Sequence, residues 1–73
     1  MNNFIYVIRL KPFGNFLKSC YFDLNDANQE DLYVIDDRSI LSAQRFTTQE
    51  TVETCCEVLR EFGYGCDYLK FRA

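Results

Sequence analysis

The segment from Thr47 to Gly63 has the apolar spacing of an amphipathic helix. Apolar side chains recur there at i, i+3, i+4 and i+7, and a fifth extends the stripe: Val52, Cys55, Cys56, Leu59 and Phe62. Thr47 and Glu50 have the spacing of a capping box, Thr48 is an alternative cap one residue later, and Gly63 supplies the stop. A single amphipathic helix must bury its stripe against another element, so we expect the rest of the chain to form a sheet.

Four other apolar runs have the composition of β-strands, at residues 4–10, 16–22, 32–36 and 66–72. Residues 11–15 predict the turn of a hairpin, because Pro12 fixes φ and Gly14 or Asn15 accepts a positive φ. The polar, Asx-rich residues 23–31 predict a loop. Residues 40–46 are ambiguous, with an irregular edge strand as one interpretation.

These elements predict an α+β fold in one small domain over residues 1–73. We expect an antiparallel sheet of three to four strands with one amphipathic helix packed on one face, in the order β-β-β-(β)-α-β. The chain is 48% hydrophobic and 16% aromatic, which excludes a disordered class. One helix covers one face only, and Ile5 and Val7 make the second face of the first strand apolar. The long loop covers that face, or the face exposes scattered apolar atoms without a function, or it is a surface for a partner or for self-association.

The four cysteines are Cys20, Cys55, Cys56 and Cys66, and their spacing fits neither a disulfide framework nor a zinc site. We expect reduced thiols that pack as small hydrophobic groups, and the alternative is a metal site made by Cys20, Cys66 and one helix cysteine. The first residues have no basic region, and the first apolar run stops at Arg9. We therefore expect a cytoplasmic protein without a signal peptide or a membrane span.

The composition argues against catalysis, because the chain contains no histidine and hence none of the Ser-His or Cys-His arrangements of nucleophilic enzymes. Neither a G-x-x-x-x-G-K-[ST] nor a G-x-G-x-x-G loop is present to hold phosphates. The acidic residues 23–31 also lack the glycine of a calcium-binding loop. We expect a protein that is not an enzyme and that binds no cofactor.

Negative charge is concentrated in residues 23–37, which hold six carboxylates and no base within a chain of net charge −3. We predict a partner-binding surface formed by these carboxylates and two nearby tyrosines: Asp23, Asp26, Glu30, Asp31, Asp36, Asp37, Tyr21 and Tyr33. A concentrated negative patch steers association with a basic protein surface. The alternative interpretation is a solvated loop whose charges keep a small protein soluble.

Two other classes of function remain open. A sheet that binds RNA or single-stranded nucleic acid would use exposed Tyr and Phe rings for stacking and basic side chains for phosphates, namely Arg9, Lys11, Lys18, Lys70 and Arg72. The acidic net charge and the absence of an RNP-like motif count against direct contact with nucleic acid. A structural homodimer is the third possibility.

The stretch Ala43-x-x-Phe46-x-Thr48-x-Glu50 resembles the helix entry of small proteins encoded by phages and prophages of Gram-positive bacteria. In this pattern Ala43 and Phe46 dock the turn on the sheet and Thr48 or Thr47 caps the helix. Many of those proteins have Ala where this chain has Val52. The resemblance transfers no active site, but it implies a phage protein in a bacterial host cell that binds and inhibits or redirects a host protein. An inhibitor of a defence nuclease, of the anti-CRISPR type, is the specific expectation.

Overall fold

The computed structural model describes residues 3–73 and contains one helix and one four-stranded sheet, in which every neighbouring pair of strands is antiparallel. The spatial order of the strands is β3-β2-β1-β4. The elements are β1 (Phe4–Leu10), β2 (Phe16–Leu24), β3 (Glu30–Asp37), helix α1 (Gln49–Glu61) and β4 (Cys66–Arg72). The predicted α+β class is confirmed.

Helix α1 begins at the second of the two predicted caps. The Thr48 side chain accepts a hydrogen bond from the backbone N–H of Thr51 at 3.2 Å. The capping box between Thr47 and Glu50 is therefore wrong, because Thr48 occupies the N-cap position and moves the pairing by one residue. Gly63 ends the helix with a φ of 89°, a backbone conformation that L side chains rarely adopt.

The predicted helix stripe faces the core of the protein. Val52, Cys56 and Leu59 are fully buried, whereas Cys55 and Phe62 lie half-buried at its margins. The sheet contributes alternate residues of β1 together with single residues of the other strands to the same cluster: Tyr6, Ile8, Leu10, Leu17, Leu32 and Cys66. Burying this apolar surface is the main driving force for folding of the chain.

The second face of β1 is not an exposed apolar surface. Val7 is only 2% exposed, and Ile5 is half-buried. Both residues pair across the sheet with apolar residues of β4, Val7 with Leu69 and Ile5 with Phe71. Of these four residues Phe71 alone is exposed, so a docking surface at Val7 is excluded.

Strands β1 and β2 separate soon after the turn that joins them. They pair at Arg9 and Phe16, but further along β1 the backbone of Tyr6 exchanges two hydrogen bonds with Phe46, of 2.8 and 2.9 Å. The backbone N–H of Gln44 also donates to the Leu17 carbonyl at 2.9 Å. Residues 44–46 thus contact both strands where these diverge.

The ambiguous residues 40–46 do not form an edge strand. They form a 3₁₀ turn at Ile40–Ser42 and then the isolated bridge at Phe46. Ala43 is buried and Phe46 packs against the core, which confirms that these two residues dock the helix entry. The interpretation of this segment as an edge strand is wrong, because only Phe46 both donates a backbone hydrogen bond to the sheet and accepts one from it.

Strands β2 and β3 form a long hairpin, called the arm here, over residues 16–37. The predicted loop at residues 23–31 is wrong at both ends, because Asp23 and Leu24 belong to β2 and Glu30 and Asp31 to β3. Leu32 is buried and anchors this end of the hairpin, so pairing prevails over the polar composition. The turn itself covers residues 25–29 only.

The arm curls over the C-terminal end of helix α1. The rings of Phe22 and Phe62 meet edge-to-face with their centroids 5.5 Å apart. The Tyr64 hydroxyl, just after the helix, donates to the Leu32 carbonyl at 3.0 Å. The described chain is elongated, with principal extents of 48 × 24 × 17 Å, and the arm exposes both its faces near the turn.

Candidate functional site

The arm places three cross-strand pairs on its face opposite helix α1. Side chains of paired residues in an antiparallel ladder point to the same side, and successive residues alternate between the faces. Leu32 belongs to the core, as do the partly buried Cys20 and Val34 packed against it, so their neighbours along the strands point away from the helix. We call this surface the tyrosine face; its pairs are Asp23 with Asp31, Tyr21 with Tyr33, and Ser19 with Ile35.

The two tyrosines form the centre of the tyrosine face. The rings of Tyr21 and Tyr33 stack with their centroids 5.5 Å apart and their planes 20° from parallel. Tyr21 is 50% exposed, so its ring is available to a partner. Because each ring covers one face of the other, an approaching group can reach the Tyr21 ring by its outer face and its edge.

The two aspartates lie next to the tyrosines, towards the turn of the arm. Each uses its Oδ1 to accept the N–H of the following residue at 2.8 Å, Asp23 from Leu24 and Asp31 from Leu32. Desolvation raises the pKa of Tyr33, and the charges of Asp31 and then of Asp23 raise it further. Both carboxylates therefore act electrostatically on Tyr33.

The other predicted carboxylates lie outside the tyrosine face. Asp26 is in the turn of the arm, and Glu30 pairs with Leu24 on the face that carries Leu32. Asp36 and Asp37 end β3, five and six residues after Asp31 and hence roughly 17–20 Å away at strand spacing. Asp36 accepts a hydrogen bond from the Asn15 side chain at 3.1 Å, and Asp37 accepts one from the N–H of Ser39. The six carboxylates therefore do not form one patch.

Ile35 is a residue of the tyrosine face that the sequence analysis missed. It is 46% exposed and extends the face beyond the tyrosines. The sequence contains a pattern that places Ile35 on the same face as Tyr33. Asp31, Tyr33 and Ile35 alternate with Leu32 and Val34, which is the period of two of a β-strand. The prediction of a loop up to Asp31 hid that period of two.

Most of the basic residues of the nucleic-acid hypothesis lie on other elements. Arg9 forms a bidentate ion pair with Asp67, with N–O distances of 3.1 and 2.7 Å. Lys70 lies 4.0 Å from the centre of the Phe4 ring. Arg9 pairs with Phe16, five residues before Tyr21 and hence roughly 17 Å from it along β2. Lys70 belongs to β4, the strand at the opposite edge of the sheet from β3, so neither residue flanks the stacked tyrosines.

The cysteines are free thiols in the interior and at its margin. Cys66 donates through Sγ to the backbone carbonyl of Cys56 at 3.7 Å. Burial, with further contributions from the nearby Cys20 and Cys66, raises the pKa of Cys55 to about 11, and burial likewise raises the pKa of Cys56. Within residues 3–73, no group of three or more histidine, cysteine or acidic side chains is arranged to hold a metal ion.

Comparison with protein-family models, with curated proteins and with solved structures found no match to this chain. The resemblance to small phage proteins therefore stays a prediction from Ala43, Phe46, Thr48 and Glu50. Among the described residues, no helix is both long and apolar enough to cross a bilayer.

Proposed function

We propose that this chain is a non-enzymatic binding protein that docks the tyrosine face of its arm on a basic surface of another protein. The observation that carries the proposal is the exposed stack of Tyr21 and Tyr33 beside the paired carboxylates of Asp23 and Asp31. Tyrosine is enriched among the residues that dominate binding energy at interfaces, and carboxylates steer basic partners. The resemblance to small phage proteins supports a host enzyme as the partner, and inhibition of a defence nuclease of the anti-CRISPR type as its outcome.

The position of the tyrosine face supports a protein partner over nucleic acid. A stacking platform for bases needs cations nearby for the phosphates, but the charged side chains that raise the pKa of Tyr33 are the carboxylates of Asp31 and Asp23. A phosphate chain laid along the face would meet Asp23 and Asp31 and be repelled. A symmetric homodimer through this face would place four carboxylates in one interface, two from each copy, and the three pairs of the face contain no basic residue to neutralise them.

Affinity capture from a bacterial lysate tests the proposal. The bait is the wild-type protein, and the matched variants are Asp23→Asn/Asp31→Asn and Asp26→Asn/Glu30→Gln. Both variants remove two charges from the arm, but only the first changes the tyrosine face. We expect mass spectrometry to find a host protein that wild type and the second variant retain and that the first variant loses. Equal retention by all three baits would refute docking through this face.

A further inference from the structure

We propose that the tyrosine face recognises an arginine side chain of its protein partner. This inference rests on the proposed function and deepens it, because it names the group that the face binds. The guanidinium would lie against the exposed Tyr21 ring and donate hydrogen bonds to the carboxylates of Asp23 and Asp31.

The facing carboxylates of Asp23 and Asp31 favour the binding of a cation between them. Like charges directly opposite each other destabilise an antiparallel pair, so the repulsion between the two carboxylates weakens the arm when it is free. Neither carboxylate is in an ion pair, and within residues 3–73 the single salt bridge joins Arg9 to Asp67. In each aspartate, Oδ1 accepts a hydrogen bond from a backbone N–H. A cation placed between the two aspartates would relieve their repulsion.

The tyrosines make arginine a better fit than lysine. A guanidinium is planar, stacks on an aromatic ring and presents several donors at once, whereas an ammonium is a strongly hydrated point charge. The outer face of the exposed Tyr21 ring supplies the flat surface, and the two aspartates, two residues further along the strands on the same face, supply acceptors beside it. The aromatic face matches the planarity of the guanidinium, and the carboxylates match its several hydrogen-bond donors.

A peptide titration tests the arginine preference on the isolated protein. Hexa-arginine and hexa-lysine peptides carry equal charge, and amide NMR spectra of the ¹⁵N-labelled protein report both affinity and location. We expect hexa-arginine to bind about two- to five-fold more tightly than hexa-lysine and to shift the amides of Tyr21, Asp23, Asp31 and Tyr33. Asp23→Asn/Asp31→Asn should weaken the binding of both peptides and reduce the difference between them, because the carboxylates that pair with the guanidinium are lost, and Asp26→Asn/Glu30→Gln should preserve the difference. Circular dichroism of both variants confirms that they fold.

Three outcomes overturn the arginine inference: equal affinity for the two peptides, equal loss of the difference in both variants, or shifts that map to the turn at residues 25–29. Two more would replace the partner itself, namely shifts at the tyrosine face with single-stranded RNA, or self-association through that face in analytical ultracentrifugation. The two proposals fail separately. If the Asp23→Asn/Asp31→Asn bait loses a host protein but the two peptides bind equally, the proposed docking face stands. The inference that this face recognises arginine is then refuted.

Discussion

The hydroxyl of Tyr64 donates a 3.0 Å hydrogen bond to the backbone carbonyl of Leu32, thirty-two residues earlier in the chain. Tyr64 follows helix α1, and Leu32 is the buried residue of β3. This bond and the contact between Phe22 and Phe62 connect the arm to the helix end. The arm is also held by the short pairing at Arg9 and Phe16, by the bond from Gln44 to Leu17 and by the packing of Leu17 and Leu32 in the core.

Removing the Tyr64 hydroxyl should loosen the arm. We expect Tyr64→Phe to lower the free energy of unfolding by about 1 kcal/mol, the usual net contribution of such a bond. Urea unfolding measures the loss, and amide hydrogen exchange should accelerate most in residues 30–33. Tyr21→Phe is the control, since it removes a hydroxyl from an exposed ring of the arm. Equal losses for the two variants would show that the bond to Leu32 contributes nothing specific.

Leu59 should be among the most sensitive residues of the core. It is fully buried at the centre of the helix stripe, so Leu59→Ala leaves a cavity and should cost about 2–5 kcal/mol. A domain of this size has little stability to lose, and the variant could unfold at ambient temperature. Leu41→Ala removes the same atoms at a position that is 82% exposed and should leave the melting temperature nearly unchanged. Similar thermal shifts for both variants would contradict the assignment of the core.

Neutralising one of the paired aspartates should stabilise the arm. Asp23→Asn removes a like-charge repulsion across the strands, so we expect stability to rise by a few tenths of a kcal/mol at low ionic strength. Salt screens the repulsion, and the gain should shrink above about 0.5 M salt. Asp26→Asn, in the turn, gives the same change in net charge and should produce a smaller effect. A loss of stability in Asp23→Asn would mean that its bond to Leu24 outweighs the repulsion.

The buried thiols should make the fold sensitive to alkaline pH. The pKa of Cys55 is about 11 in the folded protein against 9.0 for an ordinary thiol, so the unfolded state releases its proton first. Stability from this residue is fully present below pH 9 and is lost as pH rises from 9 to about 11. Chemical denaturation across this range should show the decline. Cys55→Ala should make it shallower, and an unchanged slope in that variant would contradict the thiol as its source.

The helix and the strands could be predicted because their apolar spacing is local. Val52, Cys56 and Leu59 are buried as the stripe required, and β1 and β4 have the predicted bounds. The arm could not be predicted in full, because Asp23 and Asp31 have poor strand propensity and pair only through the contacts of their neighbours. The burial of Val7 depends on how the folded chain covers that face of the sheet, which no local pattern of β1 encodes.

Most residues of the candidate site could be predicted from the sequence, but their arrangement could not. Tyr21, Tyr33, Asp23 and Asp31 were all named from composition, but their convergence depends on the register of the hairpin. A shift of one residue would have sent the tyrosines to the opposite face. Asp36 and Asp37 are close to Asp31 in sequence and distant along the strand, so a count of charges alone grouped them wrongly.

The pairing of Phe46 with Tyr6 also has a consequence for how the binding surface of this protein can change in evolution. Because residues 44–46 satisfy part of the edge of β1, the core near Tyr6 does not require β2 to remain alongside. Mutations on the outward side of residues 19–35 then change what the arm meets without disturbing the packing around Leu59. Selection for a new partner and selection for a stable fold therefore act on largely separate positions of the same short chain.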